Sequence, residues 1–159
     1  MIHLATHALT PATGGEAYLA FSLGRNGQLD VLSTSDIQAL QVPGSLVVMT
    51  GCSTAPSDVK TGLGLTGLVR AWTMAGARAV VATQWDVGDN SGDALLSSFY
   101  RHLRENSGDV PEALRSAQME AIQSEEANGR ASAAVSWAAY QAYVSRSSGD
   151  GNGTVLTIR

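Results

Sequence analysis

Apolar positions along this chain fall into two rhythms, short unbroken runs and helical repeats, with Gly- and Pro-rich segments between them. Ile2 to Thr6 is apolar at Ile2, Leu4 and Ala5, which predicts a strand running directly into His7. Leu46-Val47-Val48-Met49 and the Val-rich Ala79 to Thr83 are continuous apolar runs. Such runs suit strands covered on both faces, as in a parallel sheet. Pro11, Gly14 and Gly15 mark Thr10 to Glu16 as a loop. Ala17 to Leu23 and Gln28 to Leu32 flank Gly24-Arg25-Asn26-Gly27. The Asn26-Gly27 pair predicts a hairpin, because both residues accept a positive φ at little cost.

The second rhythm has the helical period. Thr34 or Ser35 is placed to cap a short helix reaching about Leu40. Leu63 to Ala75 is apolar at Leu65, Leu68, Val69, Trp72 and Met74, and Gly76 can end it. Ser91 to Glu105 repeats Ala94, Leu95, Phe99 and Leu103. Pro111, a favoured first-turn residue, opens a helix carrying Ala113, Leu114, Ala117 and Ile122. Val135, Trp137 and Tyr140 predict a last helix over Ser132 to Val144. Ser147 to Gly153 reads as a linker, and Thr154 to Ile158 as a final strand or tail. Strands alternating with helices predict an α/β fold with a mainly parallel sheet and flanking helices, plus a small β-hairpin. No internal repeat is present, and 159 residues suit one domain.

Composition narrows the function classes. The formal net charge is -4, and the ten Lys and Arg residues are scattered, so there is no basic stripe for nucleic acid. No apolar run approaches the roughly 20 residues that span a bilayer. The N-terminus lacks the basic and apolar regions of a signal peptide. The single cysteine, Cys52, excludes an intrachain disulfide and suits a reducing, cytoplasmic setting.

Two reactive side chains follow apolar strands: His7 after the Ile2 strand, and Cys52 after the Leu46 strand. Sites in doubly wound sheets form at the carboxyl ends of strands. If those strands are parallel neighbours, imidazole and thiol emerge together, and the imidazole stabilises the nucleophilic thiolate. The bland alternative is a buried small thiol and a packed histidine. His3, inside its strand, reads as a core residue, and His102, among Arg101, Arg104 and Glu105, as a solvated one.

Two other motifs carry less. Gly62-Leu63-Gly64-Leu65-Thr66-Gly67 fits G-x-G-x-x-G, but a polar loop separates it from the preceding strand, where a dinucleotide site needs direct succession. Gly51-Cys52-Ser53-Thr54-Ala55 nearly fits a nucleophile elbow at Ser53, yet the only later histidine is His102, predicted in mid-helix.

Longer words sharpen the picture. His3-Leu4-Ala5-Thr6-His7, then Met49-Thr50-Gly51-Cys52-Ser53-Thr54, then Ala75 to Asp89 with Gln84-Trp85-Asp86, stand in order. Phe99-Tyr100, Ala113-Leu114-Arg115, Ala117-Gln118 and Trp137-Ala138-Ala139-Tyr140 follow. Together they resemble the CHAT domain, a relative of caspases and separases. In caspases the histidine precedes the cysteine by about 50 residues, and here the interval is similar.

The resemblance implies a caspase-like fold and a cysteine endopeptidase without metal or organic cofactor. His7 would be the general acid/base and Cys52 the nucleophile. The backbone N–H groups of Ala8 and Cys52 would hold the oxyanion. The family usually has glycine after that histidine, so Ala8 is a departure. Asp86 and Asp89, which match acidic positions of the separase-like loop, would form a pocket for a basic substrate residue. Either aspartate could instead cap the helix that follows.

Family members also carry sequence before the histidine motif, so two strands would be missing and the His7 strand would be an exposed edge. A second chain, a second copy or a lost N-terminal segment is expected to cover it. The expected partners are thus a protein or peptide substrate and that second chain, with neither nucleic acid nor membrane. The domain-like part spans residues 1–144, with 145–159 as linker and strand or tail. The alternative function is a catalytically silent interaction domain.

Overall fold

The computed structural model describes residues 1–11, 15–50, 64–85, 87, 92–127, 134–146 and 154–158. Its main sheet contains β1 (Ile2–Ala5), β5 (Leu46–Thr50), β6 (Ala79–Thr83), β7 (Tyr140–Arg146) and β8 (Thr154–Ile158), in the order β1-β5-β6-β7-β8. The first three strands are parallel, and β7 and β8 join them antiparallel. A second, antiparallel sheet comprises β2 (His7–Leu9), β3 (Tyr18–Leu23) and β4 (Leu29–Ser33). The mixed α/β fold, its parallel core and the hairpin on Asn26-Gly27 agree with the sequence pattern.

Helices cover both faces of the main sheet. Along β5 and β6 the side chains alternate between two cores. Val47, Met49, Val80 and Ala82 pack with Trp72 and Leu68 of α2 (Gly64–Met74), with Ile37 of α1 (Thr34–Ala39), and with Leu19 of β3. Leu46, Val48, Ala79 and Val81 pack with Phe99 of α3 (Asp93–Glu105) and Leu114 of α4 (Val110–Ala127). This double burial is the physical reason for the unbroken apolar runs.

β1 stands at the sheet edge. Ile2 and Leu4 reach the α2-side core, while His3 and Ala5, which face the other way, are exposed.

The predicted helix over Ser132 to Val144 is replaced by a short α5 (Ala134–Trp137) followed by β7. Tyr140, Ala142 and Val144 face one core, and Tyr143 faces the other, a period of two. Pairing with β6 overrode the helical reading of Trp137 and Tyr140. The cap of α1 is Ser33, not Thr34 or Ser35. Its hydroxyl accepts from the Asp36 N–H at 3.1 Å, and the Asp36 carboxylate accepts from the Ser33 N–H at 3.0 Å.

Gly76 ends α2 as expected. Its φ of 100° allows the paired bonds Ala77 N–H to Trp72 O and Gly76 N–H to Thr73 O. A side chain there would also stand 3.2 Å from the Pro43 Cα.

His102 is not solvated. It is 16% exposed and ties α3 to α4, with Nε2 at 2.8 Å from Glu120 and Nδ1 at 3.2 Å from Glu105. Glu120 also accepts from Arg101 at 2.6 Å and from Ser98. The Arg101 guanidinium first, then Ser98 and His102, hold the Glu120 carboxyl down at about 2.

A depressed carboxyl contributes stability above its unfolded value, near 4.3, and loses it as pH falls toward 2. Thermal melts of wild type and Glu120→Gln should therefore differ at pH 6 and converge by about pH 2, by no more than about 1 kcal/mol at this half-exposed site. A constant gap down to pH 2 would exclude the ionic contribution.

Candidate active site

The geometry that concerns His7 begins with the β1–β5 ladder. Ala5 stands opposite Thr50, the last residue of β5. Beyond Ala5 the chain bends at Thr6 and enters β2. The Thr6 hydroxyl donates to the Ala20 carbonyl of β3, and His7 pairs with Ala20 in the small sheet. The imidazole of His7 is therefore carried past the carboxyl end of the main sheet on a second, separately hydrogen-bonded strand, where it is exposed. The sequence reading found the strand before His7 but missed β2, whose three residues carry no readable period.

Ala8 follows in β2, with its side chain packed toward the α2-side core. Its φ is not positive, since Ser107 is the only non-glycine with a positive φ among the described residues. The backbone at Ala8 thus accommodates a Cβ without strain.

Cys52, Asp86 and Asp89 lie outside the described residues, as do Ser53 and the first glycine of the G-x-G-x-x-G word. The cap reading of the aspartates is corrected: the N-cap position of α3 belongs to Gly92, which offers no side-chain bond.

His3 also corrects an expectation. It is not a core residue but lies on the exposed face of the edge strand. Its Nε2 is 2.9 Å from Thr50 Oγ1. Its ring lies 5.8 Å from that of Tyr100 on α3, tilted by 54°. The Tyr100 hydroxyl is buried without a partner among the described residues, and burial raises its pKa. No sequence signal joins His3 to Thr50, since the contact depends on the register of two strands 47 positions apart.

The carboxyl end of β6 is also polar. Gln84 N–H donates to Ala139 O at 2.8 Å, and the Gln84 side chain donates to the Tyr143 hydroxyl. That hydroxyl in turn donates to Gln141 Oε1 at 3.2 Å. Trp85 follows, 41% exposed. Tyr140 pairs with Thr83, and its hydroxyl occupies the space a side chain at Gly92 would need, 2.5 Å from the Cβ position. Burial first, then the Asp93 charge and Tyr100, raise the Tyr140 hydroxyl pKa.

A groove of about 510 Å³ between α4 and β7 is lined by residues such as Glu112, Arg115, Gln118 and Trp137, and includes neither His7 nor Ala8. Among the described residues no three His, Cys, Asp or Glu side chains could hold a metal ion, and no helix is long and apolar enough to cross a membrane.

No curated protein matches the chain. The family model for the CHAT domain matches residues 1–146, which take in the His3–His7 word and run through the end of β7. A match over that span, on a sheet whose parallel core leads to His7, assigns the chain to the CHAT domain family, which belongs to the caspase-like cysteine peptidases.

Proposed function

We propose that this chain is a cysteine endopeptidase in which His7 and Cys52 form the catalytic pair. The observation that supports this most is the Ala5–Thr50 rung: the strands are parallel neighbours, and His7 and Cys52 each follow that rung by two positions in the chain. His7 would take the Cys52 thiol proton, and the thiolate would add to a peptide carbonyl carbon. The N–H groups of Ala8 and Cys52 would hold the resulting oxyanion. Collapse of the adduct breaks the C–N bond, and the leaving amine takes the proton from His7. Water, activated by His7, then hydrolyses the thioester and frees Cys52. Asp86 and Asp89 would select a basic residue on the acyl side of the cleaved bond by charge-assisted pairing.

The silent interaction domain is the second reading, favoured by Ala8 at the position where the CHAT resemblance leads one to expect glycine. The backbone at Ala8 carries its Cβ without a positive φ, so alanine is accommodated there.

Electrophilic peptide probes ending in arginine, leucine or glutamate separate the readings. The expected result is selective labelling of Cys52 by the arginyl probe, lost in His7→Ala and reduced at least tenfold in Asp89→Ala. Equal labelling by all three probes would sink the basic pocket. No labelling in folded wild-type protein would favour the silent domain.

A further inference from the structure

We propose that His3 is a positioning residue for the candidate nucleophile: its imidazole, braced by Tyr100, holds Thr50, from which the chain runs on to Gly51 and Cys52. The inference rests on the peptidase reading for its purpose, but not for its geometry.

Thr50 is held on one side only by the sheet. The β5–β6 ladder ends at Met49 opposite Ala82, while the β1–β5 ladder extends one rung further to Ala5 and Thr50. Beyond that rung β1 turns away at Thr6. The last residue of β5 therefore has one ladder neighbour, and the His3 bond at 2.9 Å is a second tie from the same strand. It runs diagonally, because His3 itself stands opposite Val48.

A histidine on the open face of an edge strand would ordinarily sample several rotamers. Here the Tyr100 ring at 5.8 Å and the Thr50 hydroxyl restrict the imidazole from two sides. Tyr100 is itself anchored in α3 beside the fully buried Phe99, with ring centroids 5.3 Å apart. Helix α3 is thus coupled through one imidazole to the carboxyl end of β5.

The other arm has a matching tie. The Thr6 hydroxyl bond to Ala20 fixes the bend that delivers His7. Two short side-chain links from one five-residue segment, at His3 and at Thr6, therefore restrain the two strand ends from which the candidate base and nucleophile depart. A displacement of about 1 Å between such groups is enough to cost on the order of a hundredfold in rate, so the restraint has a chemical use.

The test uses the full chain with His3→Ala, His3→Gln, Thr50→Val and the His3→Ala/Thr50→Val double variant. Amide hydrogen exchange is followed over Leu46 to Cys52, together with the Cys52 alkylation rate at pH 7 and the thermal midpoint. His3→Ala and Thr50→Val should each speed exchange at Thr50 and beyond about five- to tenfold, the scale of one lost hydrogen bond, while Leu46 to Met49 keep their protection. The double variant should be no worse than either single one, as expected for two halves of one contact. His3→Gln should recover part of the protection.

Alkylation should slow in step with exchange, with the midpoint nearly unchanged. Unaltered exchange from Leu46 to Cys52 in both single variants, or additive effects in the double one, would overturn the proposal. A free-thiol alkylation profile in the wild type would instead remove the peptidase reading, leaving the exchange result to decide the role of His3.

Discussion

Cys52 alkylation in the wild type is expected to be near its plateau rate at pH 7, and His7→Ala to move the half-maximal point up toward about 8.5, the value of an unassisted thiol. The direction follows from charge. A neighbouring imidazole that accepts the thiol proton lowers the pH at which thiolate is populated, and alanine removes that acceptor. The parallel β1–β5 ladder sets Ala5 opposite Thr50, two positions before His7 and Cys52 in their respective segments.

His7→Ala should leave the fold intact. His7 is exposed, and its small-sheet pairing with Ala20 is a backbone matter. Peptide hydrolysis should fall by at least about a hundredfold, the usual scale for losing a general base. Coincident pH profiles in wild type and variant would mean that the two side chains do not communicate, and the silent-domain reading would stand.

Trp72→Ala should cost about 3–5 kcal/mol. Trp72 is 2% exposed and is among the largest fully enclosed side chains on the α2 side of the sheet. It packs in one cluster with Val47, Met49 and Val80 of the sheet and Ile37 of α1. Its carbonyl also receives the Ala77 N–H that closes the end of α2. Truncation leaves a cavity that small neighbours such as Ala71 and Ala77 cannot fill.

A loss of that size is a large share of the 5–15 kcal/mol that stabilises a typical domain. Much of the variant should be unfolded at 37 °C by circular dichroism. Trp72→Phe should be far milder, under about 1.5 kcal/mol, because the indole Nε1 has no partner among the described residues and most of the aromatic volume remains. Equal losses in both variants would show that the ring edge, rather than the cavity, dominates.

The local pattern was sufficient wherever one element settled its own environment. The Val-rich runs at Leu46 and Ala79 read as strands buried on both faces because their side chains meet a core on each side. Asn26-Gly27 fixed the hairpin locally: Gly27 takes a φ of 74°, while Asn26 keeps a negative φ and its side-chain oxygen accepts from the Gln28 N–H at 3.2 Å. Gly76 ended α2 for the same reason. The family words were legible because residues 1–146 keep them in order.

Other features depended on partners distant in sequence. Tyr140 to Val144 read as the end of a helix, and pairing with β6 made it a strand instead. His102 looked like a surface residue until α4 brought Glu120 against it. His3 looked like a core residue until its strand proved to be the sheet edge, with Thr50 and Tyr100 as its neighbours. Sequence by itself thus determined the doubly buried strands, the hairpin and helices α1 to α4, and named His7 and Cys52 as candidates, since these follow from period, turn chemistry and residue type, whereas β2 and β7 escaped it. Only the tertiary structure decided which polar side chains meet, because a hydrogen bond between strands or helices is set by register and packing, and neither is written in the local pattern.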